Sequence, residues 1–204
     1  MQIFSFKPET AKEVLEKSLK VLKDGVVIAF PTESFYALGV LATDEAAVKK
    51  LCWIKNRPAN KPLPVIVGDI ETLKSIVKSV PLQAEILMKK FWPGPLTIIF
   101  EAVSGLPALL TGGSERIAVR IPGESVAFHL ARRARLPITA TSANLSGSAP
   151  AKSVQEVIDY FGESIDLVID AGETPGGKPS TIVDFTVTPP KILRAGRIEL
   201  QEYL

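Results

Sequence analysis

The 204-residue sequence contains one cysteine, Cys52, and one histidine, His129. A single thiol excludes an internal disulfide framework and any cysteine-based zinc finger. A single imidazole excludes a multi-histidine metal site. No run of about 18 apolar residues occurs, so no transmembrane helix is expected. Met1 to Lys7 lacks the charged-then-apolar order of a signal peptide, which makes a cytoplasmic location the expectation. Neither sign of charge dominates: 24 Lys and Arg against 22 Asp and Glu leave +2. That balance excludes a histone-like polycation and an acidic tail protein but leaves room for a local basic cleft. There is no internal repeat, low-complexity segment or long linker.

What is present is an ordinary globular composition, 46% apolar and 23% charged. The length suits one large domain over residues 1–204 with a sizeable core. Met1–Phe6 alternates like a strand. Ala11, Val14, Leu15, Leu19 and Leu22 recur at helical spacing, between Pro8 and Gly25. Val26–Phe30 reads as a buried strand that stops at Pro31. A helix is expected over Thr43–Lys55, with Thr43 as its N-cap. Pro64–Val67 is a strand, and helices follow near Asp69–Val77 and Pro81–Phe91, the second broken by Trp92-Pro-Gly-Pro95. Strands are expected at Leu96–Phe100, Arg116–Ile121 and Leu136–Ala140, then a polar loop over Thr141–Pro150. Helices at Glu124–Arg135 and Ser153–Phe161 and strands at Leu167–Ile169, Thr181–Phe185 and Lys191–Leu193 complete the chain. The last two strands form a hairpin across Pro189-Pro190. This alternation indicates an α/β fold with one mixed, twisted open sheet and flanking helices.

In such folds ligands bind in loops beyond strand ends. Four loops here follow buried strands and carry polar groups: Pro31–Tyr36, Thr141–Gly147, Gly172–Thr181 and Arg194–Arg197. A fifth, Lys55–Lys61, adds cationic side chains. Hydroxyls and an amide among small residues let backbone approach a ligand closely, and Arg grips two oxygens at once. Taken singly, each loop also reads as an ordinary capped turn. Cys52 lies on an apolar helix face and reads as core; His129 reads as a packing or surface residue.

One motif is rejected. Gly172-Glu-Thr-Pro-Gly-Gly-Lys178 matches the first seven positions of a P-loop, but Pro179 stands where Ser or Thr must hold magnesium. Ser180–Asp184 then runs as a strand, whereas a P-loop must open a helix. A mobile loop is expected, with Lys178 in reach of an anion.

Eight segments in order carry a stronger signal: Pro31-Thr-Glu-Ser-Phe-Tyr-Ala-Leu-Gly39, Lys55-Asn-Arg-Pro58, Pro62-Leu63, Trp92-Pro-Gly-Pro-Leu-Thr97, Ala118-Val-Arg-Ile-Pro122, Ser142-Ala-Asn-Leu-Ser-Gly147, Ser180-Thr-Ile-Val-Asp184 and Leu193-Arg-Ala-Gly196. Together they resemble the YrdC/TsaC family of threonylcarbamoyl-AMP synthases, from about residue 12 to 197. The resemblance implies a single-domain fold around a positively charged concave cavity. It implies condensation of L-threonine, bicarbonate and ATP, the last with Mg²⁺, to threonylcarbamoyl-adenylate and pyrophosphate. A TsaD-type transferase complex then passes the group to an adenosine of tRNA, so tRNA is a candidate partner. No membrane is involved.

By the same resemblance, Thr32, Ser34, Tyr36, Arg120 and Ser180 bind threonine, Arg120 at its carboxylate. Lys55, Arg57, Lys61, Ser142, Asn144 and Arg194 bind ATP, and Lys55 and Arg57 stabilise the transition state. No protein metal ligands are expected. Some features depart from the family pattern. Ser34 replaces a Thr, Ala37 a Gly and Lys61 a frequent Asn, while Ile66 stands where some relatives place a His. Ending at Leu204, the chain resembles the short form without a second domain. Two other readings compete: a YciO-type paralogue with another substrate, and a non-catalytic RNA-binding module using the basic cavity.

Overall fold

A computed structural model describes residues 1–203; Leu204 lies outside the described residues. Eleven strands are described: β1 (Gln2–Ser5), β2 (Ile28–Pro31), β3 (Tyr36–Gly39), β4 (Val65–Ile66), β5 (Leu96–Glu101), β6 (Arg116–Arg120), β7 (Ile138–Thr139), β8 (Thr141–Ser142), β9 (Leu167–Asp170), β10 (Thr181–Asp184) and β11 (Lys191–Arg194). The helices are α1 (Ala11–Lys23), α2 (Glu45–Ile54), α3 (Ile70–Lys74), α4 (Leu82–Phe91), α5 (Ala108–Thr111), α6 (Val126–Ala134) and α7 (Val154–Phe161).

The strands form two mixed sheets, where the sequence suggests one. The first has the order β1-β9-β2-β3-β8 and the second β11-β10-β5-β6-β4-β7. The chain passes between the sheets three times, most abruptly at Ala140. Thr139 belongs to β7 in the second sheet and Thr141 to β8 in the first, so the chain changes sheets across one residue. An isolated bridge between Leu41 and Ile138 ties the sheets together just there. Gly39 sits at the same crossing. A Cβ on it would lie 2.6 Å from both the Phe30 ring and the Thr139 carbonyl oxygen, so only glycine fits. Hydrophobic periodicity reports burial, not which sheet a strand joins, and the short β3 and β8 lie inside segments whose polar residues read as loop. The expected mixed pairing is found, including the antiparallel β10–β11 hairpin.

Helix ends follow capping chemistry. The N-cap of α2 is Asp44 rather than Thr43: its carboxylate accepts from the Ala47 N–H at 3.0 Å. Ser125 and Ser153 cap α6 and α7 in the same way. The α1 stripe of Val14, Leu15 and Leu22 is buried, and α1 packs on α6. Burying each such side chain contributes about 1.5–3 kcal/mol. Asp44, Ser125 and Ser153 thus fix where the helices begin, and the helices fix the loops between them.

Candidate functional site

The predicted loops converge where the two sheets meet, in two groups of side chains. The first is built on Lys55, the C-cap of α2. Its side chain turns inward and the residue is only 2% exposed. Nζ donates to the backbone oxygens of Ser142 at 2.5 Å and Asn144 at 2.7 Å, and approaches Asn144 Oδ1 at 3.4 Å. Ser142 Oγ donates to the same Oδ1 at 2.6 Å, and Asn144 Nδ2 donates to the Ser148 oxygen. The ammonium therefore clamps the Ser142–Asn144 loop from behind. Burial, and then the charges of Arg57 and Lys61, push its pKa down to about 7. Arg57 Nε and Nη2 donate to the oxygens of Lys61 and Pro62, which fixes the plane of its guanidinium. Burial also lowers the Arg57 pKa. Lys61 is exposed.

The second group lies on the polar face of the second sheet. Alternation along β5 puts Leu96, Ile98 and Phe100 in the core and turns Thr97 to the other face. Thr97 Oγ1 and Ser180 Oγ are 2.8 Å apart. Arg194 Nη2 donates to Ser180 Oγ at 2.9 Å and Nε to the Ser180 backbone oxygen at 3.0 Å. Burial first, and then the neighbouring charge of Arg120, lower the Arg194 pKa. Arg120, at the end of β6, pairs with Glu33 from the loop after β2. Ile66 pairs with Arg120 across β4 and β6 and is buried. Farther along the same face a cavity of about 590 Å³ is lined by Pro62, Ala118, Arg116, Asp184 and Leu193 among others. It extends the site toward the Arg57–Pro62 turn.

Two predicted contacts take a different form. Tyr36 is fully buried, and its hydroxyl donates to the Gly172 oxygen at 2.8 Å. Burial first, and then Asp170, push its pKa up to about 12. Its hydroxyl anchors the Gly172 loop from within the core. The Thr32 hydroxyl closes its own turn: it donates to the Phe35 oxygen and accepts from the N–H groups of Ser34 and Phe35. The Gly-rich segment is anchored, not loose. Gly176 N–H donates to the Ser34 oxygen at 2.7 Å, and Arg197 donates to the oxygens of Glu33, Lys178 and Gly176. It leads into β10, not into a helix, which agrees with rejecting the P-loop.

Sequence reasoning missed Glu33 and Thr97 as members of the site. A hydroxyl inside the otherwise apolar run Leu96–Phe100 was the available signal for Thr97; Glu33 gave none beyond its place between Thr32 and Ser34. Among the described residues no group of three or more His, Cys, Asp or Glu side chains is placed to hold a metal ion. None of the described helices is long and apolar enough to cross a membrane.

Hydroxyls, a side-chain amide and guanidinium groups gather at a sheet junction of an α/β protein, and such groups are able to hydrogen-bond carboxylate and phosphate oxygens. The family model Sua5_yciO_yrdC, described as "Telomere recombination", matches residues 20–196, and the chain belongs to this family. It is 41% identical to the threonylcarbamoyl-AMP synthase of Pyrococcus abyssi over 181 residues, covering 89% of this chain. The chain spans only 53% of that relative's own length. The crystal structure of P. abyssi Sua5 complexed with L-threonine superposes with a TM-score of 0.93 at 38% identity, over 99% of this chain and 59% of that one. Escherichia coli YciO superposes with a TM-score of 0.87 at 28% identity, over 100% and 99% of the two chains.

Proposed function

We propose that this protein condenses L-threonine, bicarbonate and ATP into threonylcarbamoyl-AMP, releasing pyrophosphate. The observation that carries the reading is the junction itself. Arg120, Ser180 and Arg194 gather on one side and the Lys55-clamped Ser142–Asn144 loop on the other. Likeness to a synthase of that name, and to a relative crystallised with L-threonine, supports it.

The reaction needs two anionic substrates held together against their repulsion. Arg120 pairs with the threonine carboxylate, while Ser180 and Ser34 supply hydroxyls beside it. The neutral threonine amine attacks the bicarbonate carbon and a C–O bond breaks with loss of water, and the resulting carbamate oxygen attacks the α-phosphate of ATP with pyrophosphate leaving. Positive charge at Arg57, Lys61 and Arg194 stabilises the phosphate charge as it shifts. Ser142 and Asn144 hold the nucleotide, in a loop whose position Lys55 sets. Magnesium enters with the nucleotide as the Mg–ATP substrate. The product is a labile mixed anhydride, which suits handover to a TsaD-type complex acting on tRNA.

Pyrophosphate release by the purified protein, with Mg–ATP and bicarbonate and with or without L-threonine, tests this. Mass spectrometry of fresh product must show threonylcarbamoyl-adenylate. The match to YciO over 100% and 99% of the two chains favours one second reading, a paralogue acting on another substrate. Nucleotide binding without threonine-dependent turnover would select it.

A further inference from the structure

A second cavity lies away from the cleft, on the helix-covered side of the second sheet. β6 turns Arg116, Ala118 and Arg120 toward the cleft and buries Ile117 and Val119 on its other face. Ile121, one residue beyond β6, continues the buried set and lines this cavity. The Gly94 N–H donates to the Ile121 oxygen at 2.9 Å, which holds the Trp92-Pro93-Gly94 turn against the same spot. The cavity measures about 400 Å³, a size at which proteins hold small molecules.

Helical spacing shapes it. Ile70 and Lys74 stand one turn apart on α3, and Glu85, Met88, Lys89 and Trp92 form one stripe along α4 and its C-cap. Met88 and Ile121 are buried and make the floor, while Ile70, Lys74 and Lys89 are exposed at the rim. Trp92 Nε1 donates to the Leu96 oxygen at 2.6 Å, which fixes the indole plane beside the floor. The C-terminal turn does not enter. Tyr203 packs on the opposite stripe of α4, where its backbone oxygen accepts from Gln83 Nε2 and its ring centroid lies 4.3 Å from Lys90 Nζ.

The rim carries the informative charges. Lys74, Lys89 and Glu85 form no ion pair with any described residue. Two ammonium groups and one carboxylate leave a single positive charge above an apolar floor. A flat apolar molecule bearing one negative charge complements both features. We propose that this cavity binds a small aromatic monocarboxylate, with its ring against Met88, Ile121 and Trp92 and its carboxylate between Lys74 and Lys89. Ring contact with the indole supplies the attraction, and the ammonium groups select the charge. Lysine lacks the rigid fork of arginine, so the site reads size and charge rather than one exact acid geometry. The proposal is independent of the reaction assigned to the cleft.

The test is a nitrogen-15 NMR titration of the full chain with indole-3-acetate and with indole-3-acetamide, its neutral isostere. The two tryptophans give two indole N–H signals, and Trp53→Phe identifies that of Trp92. Indole-3-acetate should move the Trp92 signal saturably and bind at least about tenfold tighter than the amide, as expected of hydrogen bonds to a charged group. In the Lys74→Gln, Lys89→Gln double variant that preference should fall to near unity while weak binding of both compounds persists. Both lysines are exposed, so the variant should melt with wild type. The acid-to-amide ratio in wild type decides even if it does not. A Trp92 signal that stays still at millimolar acid overturns the site, as does movement confined to the exposed Trp53. Equal affinity for acid and amide overturns the ligand class, and a preference that survives the double variant overturns the role of the two lysines.

Discussion

Lys55 Nζ lies 2.7 Å from the backbone oxygen of Asn144, on a loop that begins at the far edge of the first sheet. A cation from the Lys-x-Arg-Pro segment thus holds the Ser-Ala-Asn segment in place. The family resemblance implies separate ATP contacts for the two segments, and a Lys55 lying in a loop predicts little effect on folding. The clamp changes that expectation. Lys55→Met should lower the unfolding free energy by about 1–3 kcal/mol, because two buried carbonyls lose their donor. It should also abolish threonine-dependent pyrophosphate release. A melt identical to wild type with turnover lost would return Lys55 to direct contact with phosphate.

The same ammonium gives the site a pH limb. Its folded pKa, about 7, lies below the ordinary 10.5, so between these values the unfolded chain holds more protons. Stability contributed by this group is therefore lowest below about pH 7 and rises as pH climbs toward 10.5. Nucleotide affinity should run the other way. Above pH 7 the neutral amine holds the Ser142–Asn144 loop with one proton fewer. Isothermal titration of an ATP analogue from pH 6 to 9 should show weakening through pH 7, and Lys55→Arg should move that limb upward. A flat profile in wild type would dissociate the clamp from nucleotide binding.

Arg120→Ala should raise the threonine concentration for half-maximal turnover at least tenfold, with ATP dependence little changed. It should also destabilise by about 3–5 kcal/mol, since Glu33 is left charged, mostly buried and without its partner. The paired change Arg120→Ala with Glu33→Gln should recover much of that stability and none of the threonine affinity. Comparing the melts of the single and double variants separates the two effects; equal stability in both would show that Glu33 does not depend on Arg120.

Gly39→Ala addresses the sheet crossing. Its new methyl would meet the Phe30 ring and the Thr139 oxygen at 2.6 Å, and neither is the free end of a flexible side chain. A loss of about 1–3 kcal/mol is expected from overpacking. An unshifted chemical-denaturation midpoint would mean the crossing can relax.

Much of the fold could be read from the chain. Apolar runs and caps locate β2, β5, β6, α1, α6 and α7 within a few residues, because burial periodicity is a local property. The division into two sheets could not be read, since the chain changes sheets between β3 and β4, at Ala140 and between β9 and β10, and no side-chain pattern marks a change of sheet. Motif order brought Arg120, Ser180, Arg194, Ser142 and Asn144 to one junction. It did not disclose that the polar ends of Lys55, Tyr36 and Thr32 face the protein. A lysine reaching for phosphate and one reaching for carbonyls look alike until the backbone oxygens are placed. Glu33 went unnoticed because its pairing with Arg120 is a long-range event between the loop after β2 and the end of β6.

The parallel pairing of β1 with β9 sets a schedule for biogenesis. Gln2 aligns with Leu167 and Ile28 pairs with the same residue, so β9 inserts between two strands made long before it. At about 5–20 residues per second, the ribosome leaves β1 and β2 without their shared partner for on the order of ten seconds. During that wait the apolar Ile28-Ala-Phe segment is an open template for other nascent chains. In the second sheet β5 meets β6 soon after synthesis, and its wait for the parallel partner β10 is shorter than that of β1 and β2 for β9. Chaperone demand should therefore track the N-terminal strands, and a circular permutant that begins just before β9 would be released from it.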